Sequence, residues 1–273
     1  MTKENYASSG KNYTGKLSFE DGLRPTKPRE TGMTSVIDFG PDTFGWTSPN
    51  ALADYLTCTS EYIDFAKIYA MNALLLPEAA VTRIIQTYKD ANIIPYAGGI
   101  LFEYACLKNE VDGYIRHLKK IGMPQLEVSE NYLELTDDQR QKYIDKLKNA
   151  GFGVIYEFGR KNPVEPISVD ALELIILSNN NIGVEHTIIE QSEIDFATAH
   201  DPAILEQILN SSWFNQVFIE ADPYTFPKGH VALLEKFGRN VNLANISADQ
   251  VLRLQGFRYG IGRAVNYSIL STT

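Results

Sequence analysis

Cysteine is scarce in this sequence. Cys58 and Cys106 are the only two in 273 residues, too few for a disulfide framework, and neither falls in a C-x-x-C or Cys/His metal spacing. That scarcity fits a reduced, cytoplasmic setting. Histidine is nearly as rare, with four residues. His186 has no second histidine at metal spacing, so neither a histidine metal site nor a catalytic triad is expected. Positive charge is in deficit: 25 Lys and Arg stand against 34 Asp and Glu, a formal charge of −9. Such a balance argues against nucleic acid as a partner, because phosphates need a basic face. Any anionic ligand must then be held by locally placed lysines and arginines. No uncharged apolar run reaches the roughly 18 residues of a membrane span, and residues 1–20 lack the apolar core of a signal peptide. Neither G-x-G-x-x-G nor a Walker A sequence is found, which removes the usual nucleotide-binding signatures of an open α/β sheet. No linker rich in Pro, Gly or Ser divides the chain, so one domain is the simpler organisation.

What is present is a repeat. Short runs of β-branched and aromatic residues, each ending in a polar residue or glycine, alternate with segments of helical period. Eight strands are predicted: Ser35–Phe39, Tyr62–Ile68, Ile93–Ala97, Gln125–Ser129, Gly153–Phe158, Ile182–His186, Gln216–Glu220 and Asn240–Asn245. Markers near their ends, Asp38, Lys67, Gly98, Glu127, Glu157, Glu185, Glu220 and Asn242, are spaced by 29, 31, 29, 30, 28, 35 and 22 residues. Helix signals fall between them. Ser48-Pro49 reads as an N-cap with Pro at the first helical position, Pro77 opens the next helix, and Val111, Ile115, Leu118 and Ile121 keep helical spacing up to Gly122. Eight right-handed βα units of this length close a single (β/α)₈ TIM-type barrel over 27–273, preceded by an N-terminal extension, 1–26.

Chemistry in such a barrel sits at the C-terminal ends of its strands. Strand alternation puts Glu127 and Ser129 on one face of the fourth strand, and gives Glu157, Glu185 and Glu220 the same phase in the three that follow. An outward-facing carboxylate would lie beneath helices, so all four glutamates are expected to point into the mouth. Unpaired, each would cost several kcal/mol to bury, which demands counter-charges or a metal. Lys67 ends the second strand, Arg160 and Lys161 follow Glu157, Arg258 and Arg263 follow the last strand, and Lys27 and Arg29 precede the first. A carboxylate cluster also suits Mg²⁺, which takes oxygen ligands. A structural ion-pair network is the plainer alternative for any one of these residues. Gly98-Gly99 is either a tight turn or a backbone approach to an anion. Asn242 and Asn245 either bind a ligand or cap a turn.

Several stretches resemble the phosphosulfolactate synthase family. They are Lys27 to Asp38 (KPRETGMTSVID), Tyr62 to Lys67 (YIDFAK), Pro95 to Glu103 (PYAGGILFE), Leu126 to Ser129 (LEVS), Tyr156 to Lys161 (YEFGRK), Phe218 to Ala221 (FIEA) and Phe237 to Ile246 (FGRNVNLANI). The resemblance implies a (β/α)₈ barrel that adds sulfite to the methylene carbon of phosphoenolpyruvate with Mg²⁺, on the way to coenzyme M, and a homo-oligomer such as a trimer. On matching positions it implies Lys67 as general acid or electrostatic support, with Glu157 and Glu185 beside it in catalysis. It implies Glu127, Glu157, Glu185 and Glu220 as metal ligands or their neighbours. Lys27, Arg29, Gly98, Gly99, Ser129, Arg160, Lys161, Asn242, Arg258 and Arg263 would line the anion site. The chain also departs from the family. Lys67-Ile68-Tyr69-Ala70-Met71-Asn72 replaces Lys-Phe-Gly-Trp-Gly-Thr, an arginine is missing after Glu185, and Arg263 is displaced by one position. Two guanidinium forks are thus lost or moved. This marks a divergent member whose substrate carries fewer anionic groups or meets another nucleophile; a barrel that has lost catalysis and serves as a binding or stress-associated protein is the alternative.

Overall fold

A computed structural model describes residues 26–40, 48–160 and 162–270. All but the last residue of the expected N-terminal extension lies outside them. Eight strands run in parallel: β1 (Thr34–Asp38), β2 (Phe65–Ile68), β3 (Ile94–Ala97), β4 (Gln125–Ser129), β5 (Gly153–Phe158), β6 (His186–Ile189), β7 (Val217–Glu220) and β8 (Leu243–Ser247). They pair in chain order, and β8 returns to β1 to close the barrel. The helices are α1 (Pro49–Thr59), α2 (Asn72–Leu75), α3 (Glu78–Asp90), α4 (Gly99–Leu107), α5 (Val111–Lys120), α6 (Asp137–Asn149), α7 (Val169–Asn181), α8 (Gln191–His200), α9 (Ala203–Asn210), α10 (Lys228–Phe237) and α11 (Val251–Arg258).

Local chemistry explains where several of them begin. Ser48 Oγ accepts from the Ala51 amide, 3.3 Å away, with Pro49 at the first helical position. Thr136 and Gln139 form a reciprocal capping box at the start of α6. α4 shows no helical period in the sequence because it is apolar nearly all round: Leu101, Phe102, Ala105 and Cys106 are buried, and it has no polar face to give it one.

Alternation along the strands separates two cores. Outward residues such as Ala66, Ile68, Leu126, Val128, Ile189 and Ile219 pack beneath the helices. Inward residues Met33, Phe65, Tyr96, Ile155, Ile188, Phe218 and Ala244 fill the barrel, with the Phe65 and Phe218 rings edge to face at 5.6 Å. Each fully buried side chain of this size contributes about 1.5–3 kcal/mol. The plug occupies the strand starts and middles. Polar side chains take the inward positions above it.

Two strands are displaced from expectation. The sequence predicts the sixth at Ile182–His186, but α7 continues to Asn181 and Gly183, at φ +75°, turns the chain. The strand is therefore His186–Ile189, four residues later at its start. The eighth is predicted to end at Asn245, yet β8 continues to Ser247. Asn245 sits inside it at φ +59°, beside a register shift between Thr34 and Val36 on β1. An asparagine read as a terminator is instead an irregularity within the strand. No described helix is long and apolar enough to cross a membrane.

Candidate active site

The second strand delivers Lys67 into the mouth in phase with Phe65, one layer above the plug. Its Nζ lies 2.8 Å from Glu127 Oε2 and 2.9 Å from Glu157 Oε2. All three residues are at most 5% exposed. Glu127 Oε1 accepts the Gly99 amide at 2.8 Å, and Glu157 Oε1 accepts from Asn131 Nδ2 at 2.8 Å. Tyr96, with its ring centroid 6.0 Å from Nζ, floors the cluster and shares a hydrogen bond with Ser35 Oγ.

The two carboxylates are chemically identical but electrostatically different. Burial, then the negative charge of Glu157, pushes the Glu127 carboxyl up to about 8. Burial also presses on Glu157, but the Lys67 charge and hydrogen bonds from Lys67, Asn131 and Glu127 outweigh it and hold this carboxyl below the ordinary range. Lys67 is raised well above its usual value: burial opposes its charge, and attraction to Glu127 and Glu157 overcomes burial. The cluster thus keeps an ammonium, an ionised Glu157, and a proton on Glu127 near neutral pH, titrating as a unit.

Glu157 also borders a second grouping. Carboxylate oxygens of Glu157, Glu190 and Glu220, all buried, lie within 4.8 Å of one another. Glu190 replaces Glu185, which was expected here. Glu185 precedes β6, at the opposite end of the barrel, and is exposed, whereas Glu190 follows β6 in phase with Ile188 and is 5% exposed. The shift of the strand by four residues is the cause. Glu190 also restores an even repeat, 33 residues after Glu157 and 30 before Glu220, a signal that could have located it.

Gly98 and Gly99 form the tight junction between β3 and α4. A side chain on Gly99 would drive its Cβ into Ser129 Oγ and place it 3.0 Å from Glu127 Oε1. The glycine lets α4 press against β4, and its amide is engaged by Glu127. Ser129 donates to Glu103 of α4, a buried carboxylate that no pattern in the sequence singles out; Glu103 also accepts the amides of Asn131 and Tyr132. Arg160 stands after β5 at the mouth end, exposed, with its guanidinium paired to Glu134. Lys161 lies outside the described residues.

The other expected cations are elsewhere. Lys27 Nζ donates to the Asn92 carbonyl at 3.0 Å, and Arg29 pairs with Asp64 just before β2. Arg258 is buried and donates to the carbonyls of Arg239, Val241 and Met33. Burial and the charge of Arg29 lower it to about 10. Asn242 Oδ1 accepts the Met33 amide, and its Nδ2 donates to the carbonyls of Asn215 and Val217. These four residues close the N-terminal end of the barrel, where strand starts leave main-chain groups to satisfy. Arg263 is on the outer layer, in a groove beside α10 and α11. Asp38 ends β1 by accepting the Gly40 amide and the Tyr88 hydroxyl.

A closed parallel barrel with a buried lysine between glutamates at its C-terminal mouth defines a TIM-barrel protein with an enzyme-like centre. Its family is shown by sequence: residues 22–263 match the model of (2R)-phospho-3-sulfolactate synthase (ComA), and the chain belongs to that family. It is 30% identical over 241 residues to the phosphosulfolactate synthase of Methanocaldococcus jannaschii, covering 85% of this chain and 92% of that one. Against the phosphosulfolactate synthase of Bacillus subtilis it is 29% identical over 256 residues, covering 90% and 96%. Among solved structures, the carboxyl transferase domain from Rhizobium etli pyruvate carboxylase shares the fold at a TM-score of 0.57 and 11% identity, over 84% of this chain and 41% of that one.

Proposed function

We propose that this chain is a Mg²⁺-dependent enzyme that adds sulfite, or another nucleophile, to phosphoenolpyruvate or a related enolizable carboxylate. The observation that carries the reading is Lys67 held between Glu127 and Glu157 beside Glu190 and Glu220, at the end of the barrel where chemistry is done.

The donor set fits a hard cation. Oxygens sharing one Mg²⁺ with bonds of 2.0–2.1 Å stand about 3–4 Å apart, so the three glutamates need little movement to meet it. Glu190 and Glu220 would be direct ligands, with Glu157, which also holds Lys67 and Asn131, at the edge. Asn131 Oδ1 is buried and without a partner among the described residues, a further oxygen at the site. Bound Mg²⁺ would offset the glutamates and attract the substrate carboxylate, which the cations at the far end cannot do.

Addition to the methylene carbon forms one bond there and sends the π electrons towards the substrate carboxylate. The adjacent carbon then takes a proton. Lys67, held strongly protonated, supplies positive charge to that developing negative charge. Glu127, protonated near neutral pH, is the better proton donor. Sparse cations among the described residues of the mouth favour a substrate whose charge is met largely through the metal. A cytoplasmic homo-oligomer, a trimer by resemblance, completes the reading; Leu74 and Leu75 on α2 and Tyr104 and Leu107 on α4 are exposed apolar side chains available to it, and sedimentation velocity would count the copies.

The purified protein should consume phosphoenolpyruvate in the presence of sulfite and Mg²⁺, read as loss of enol absorbance, and stop when Mg²⁺ is chelated. Absence of turnover from folded protein would remove the sulfite reaction and leave a changed nucleophile or substrate, or the non-catalytic barrel.

A further inference from the structure

We infer that Glu103 is a positioning residue of the mouth: it fixes the turn after β4 so that Asn131 fastens Glu157 and keeps the oxygen set of Glu157, Glu190 and Glu220 in place. The inference rests on the metal reading above for its consequence, and on geometry alone for its cause.

Gly99 and Glu103 are four residues apart on α4 and so share a face of the helix, the face turned to β4. The missing Cβ of Gly99 brings that face close enough for both to engage the fourth strand. Gly99 gives its amide to Glu127. Glu103, 2% exposed, receives three donors: the Ser129 hydroxyl and the Asn131 amide (3.1 Å) on Oε1, and the Tyr132 amide (2.7 Å) on Oε2. An apolar side chain would pack α4 against β4 without the cost of burying a carboxylate. Glu103 instead spends its acceptors on consecutive backbone amides of the turn. That turn carries Asn131, whose Nδ2 reaches Glu157 Oε1 at 2.8 Å. Side chains that orient metal-binding groups typically change affinity about 10- to 100-fold when removed.

Crystal structures and calorimetric Mg²⁺ titrations of wild type, Glu103→Ala, Glu103→Gln, Asn131→Ala and the double alanine variant test this. Glu103→Ala should release Asn131 from Glu157 and weaken Mg²⁺ binding by about tenfold or more. Asn131→Ala should weaken it similarly, and the double variant should be no weaker than the worse single one, because both act through one contact. Glu103→Gln, which keeps the shape and one acceptor, should recover part of the loss. A Glu103→Ala crystal structure that retains the Asn131–Glu157 contact would overturn the inference, as would losses that multiply in the double variant. If Glu103→Ala does not fold, Glu103→Gln takes its place in the cycle, with a displaced Asn131 expected and an undisturbed one refuting. Wild type that binds no Mg²⁺ would refute the metal reading, and the position of Asn131 in the variants would still decide the role of Glu103.

Discussion

Replacing Lys67 by Met keeps most of the side-chain volume and removes one charge from a site where it meets two carboxylates at 2.8 and 2.9 Å. Glu127 and Glu157 would remain, 2% and 5% exposed, without their shared cation. Removing one partner of a buried ion pair costs roughly 3–5 kcal/mol, which for a domain of this size lowers the melting temperature by on the order of 10 °C. The cost depends on pH, and the sign distinguishes the mechanism from lost packing. In wild type, Glu157 titrates below its ordinary value of 4.5, so its stabilisation is present above that value and fades as pH falls through the lowered one. In Lys67→Met both carboxyls titrate above 4.5 in the folded state, so the deficit is small at pH 5 and grows as pH rises towards 8. Thermal unfolding by circular dichroism at the two pH values reads this directly. A melting difference that is the same at pH 5 and pH 8, or none at pH 8, would refute the electrostatic account.

Further expectations concern both ends of the barrel. Arg258→Ala strands the carbonyls of Arg239 and Val241 and leaves a cavity, so urea denaturation should show a loss of about 3–5 kcal/mol while Mg²⁺ affinity is unchanged. Glu190→Gln and Glu220→Gln should each weaken Mg²⁺ about tenfold or more in a calorimetric titration. Glu185→Gln, at the exposed start of β6, should have no effect there. Gly99→Ala forces a methyl group against Ser129 Oγ and should cost about 1–3 kcal/mol in thermal unfolding.

The βα repeat was legible because every strand is a short apolar run between helices of regular period, and closure follows from eight such units. Lys67, Glu127, Glu157 and Glu220 were legible for a related reason: alternation fixes which side chains face inward, and each sits at the end of a strand whose limits were nearly right. Glu190 was missed because a helix can run past its amphipathic segment, as α7 does to Asn181, and every later assignment in that unit shifts with it. Lys27, Arg29 and Arg258 were misplaced because charge in a sequence does not say which end of the barrel it serves, and Asn242 because the eighth strand begins one residue after it. Residues that precede a strand face the N-terminal end, and Arg258 returns there because α11 carries the chain back from the end of β8. Glu103 was invisible for want of a polar face on α4.

The most direct measurement is a crystal of the protein soaked with Mn²⁺, as a stand-in for Mg²⁺, and phosphoenolpyruvate, with the ion located by anomalous scattering. An ion is expected against Glu190 and Glu220, with the substrate carboxylate turned towards it and Lys67 alongside. An ion or substrate found instead among Arg29, Asp64 and Arg258 at the opposite end, or a mouth that takes neither, would contradict it.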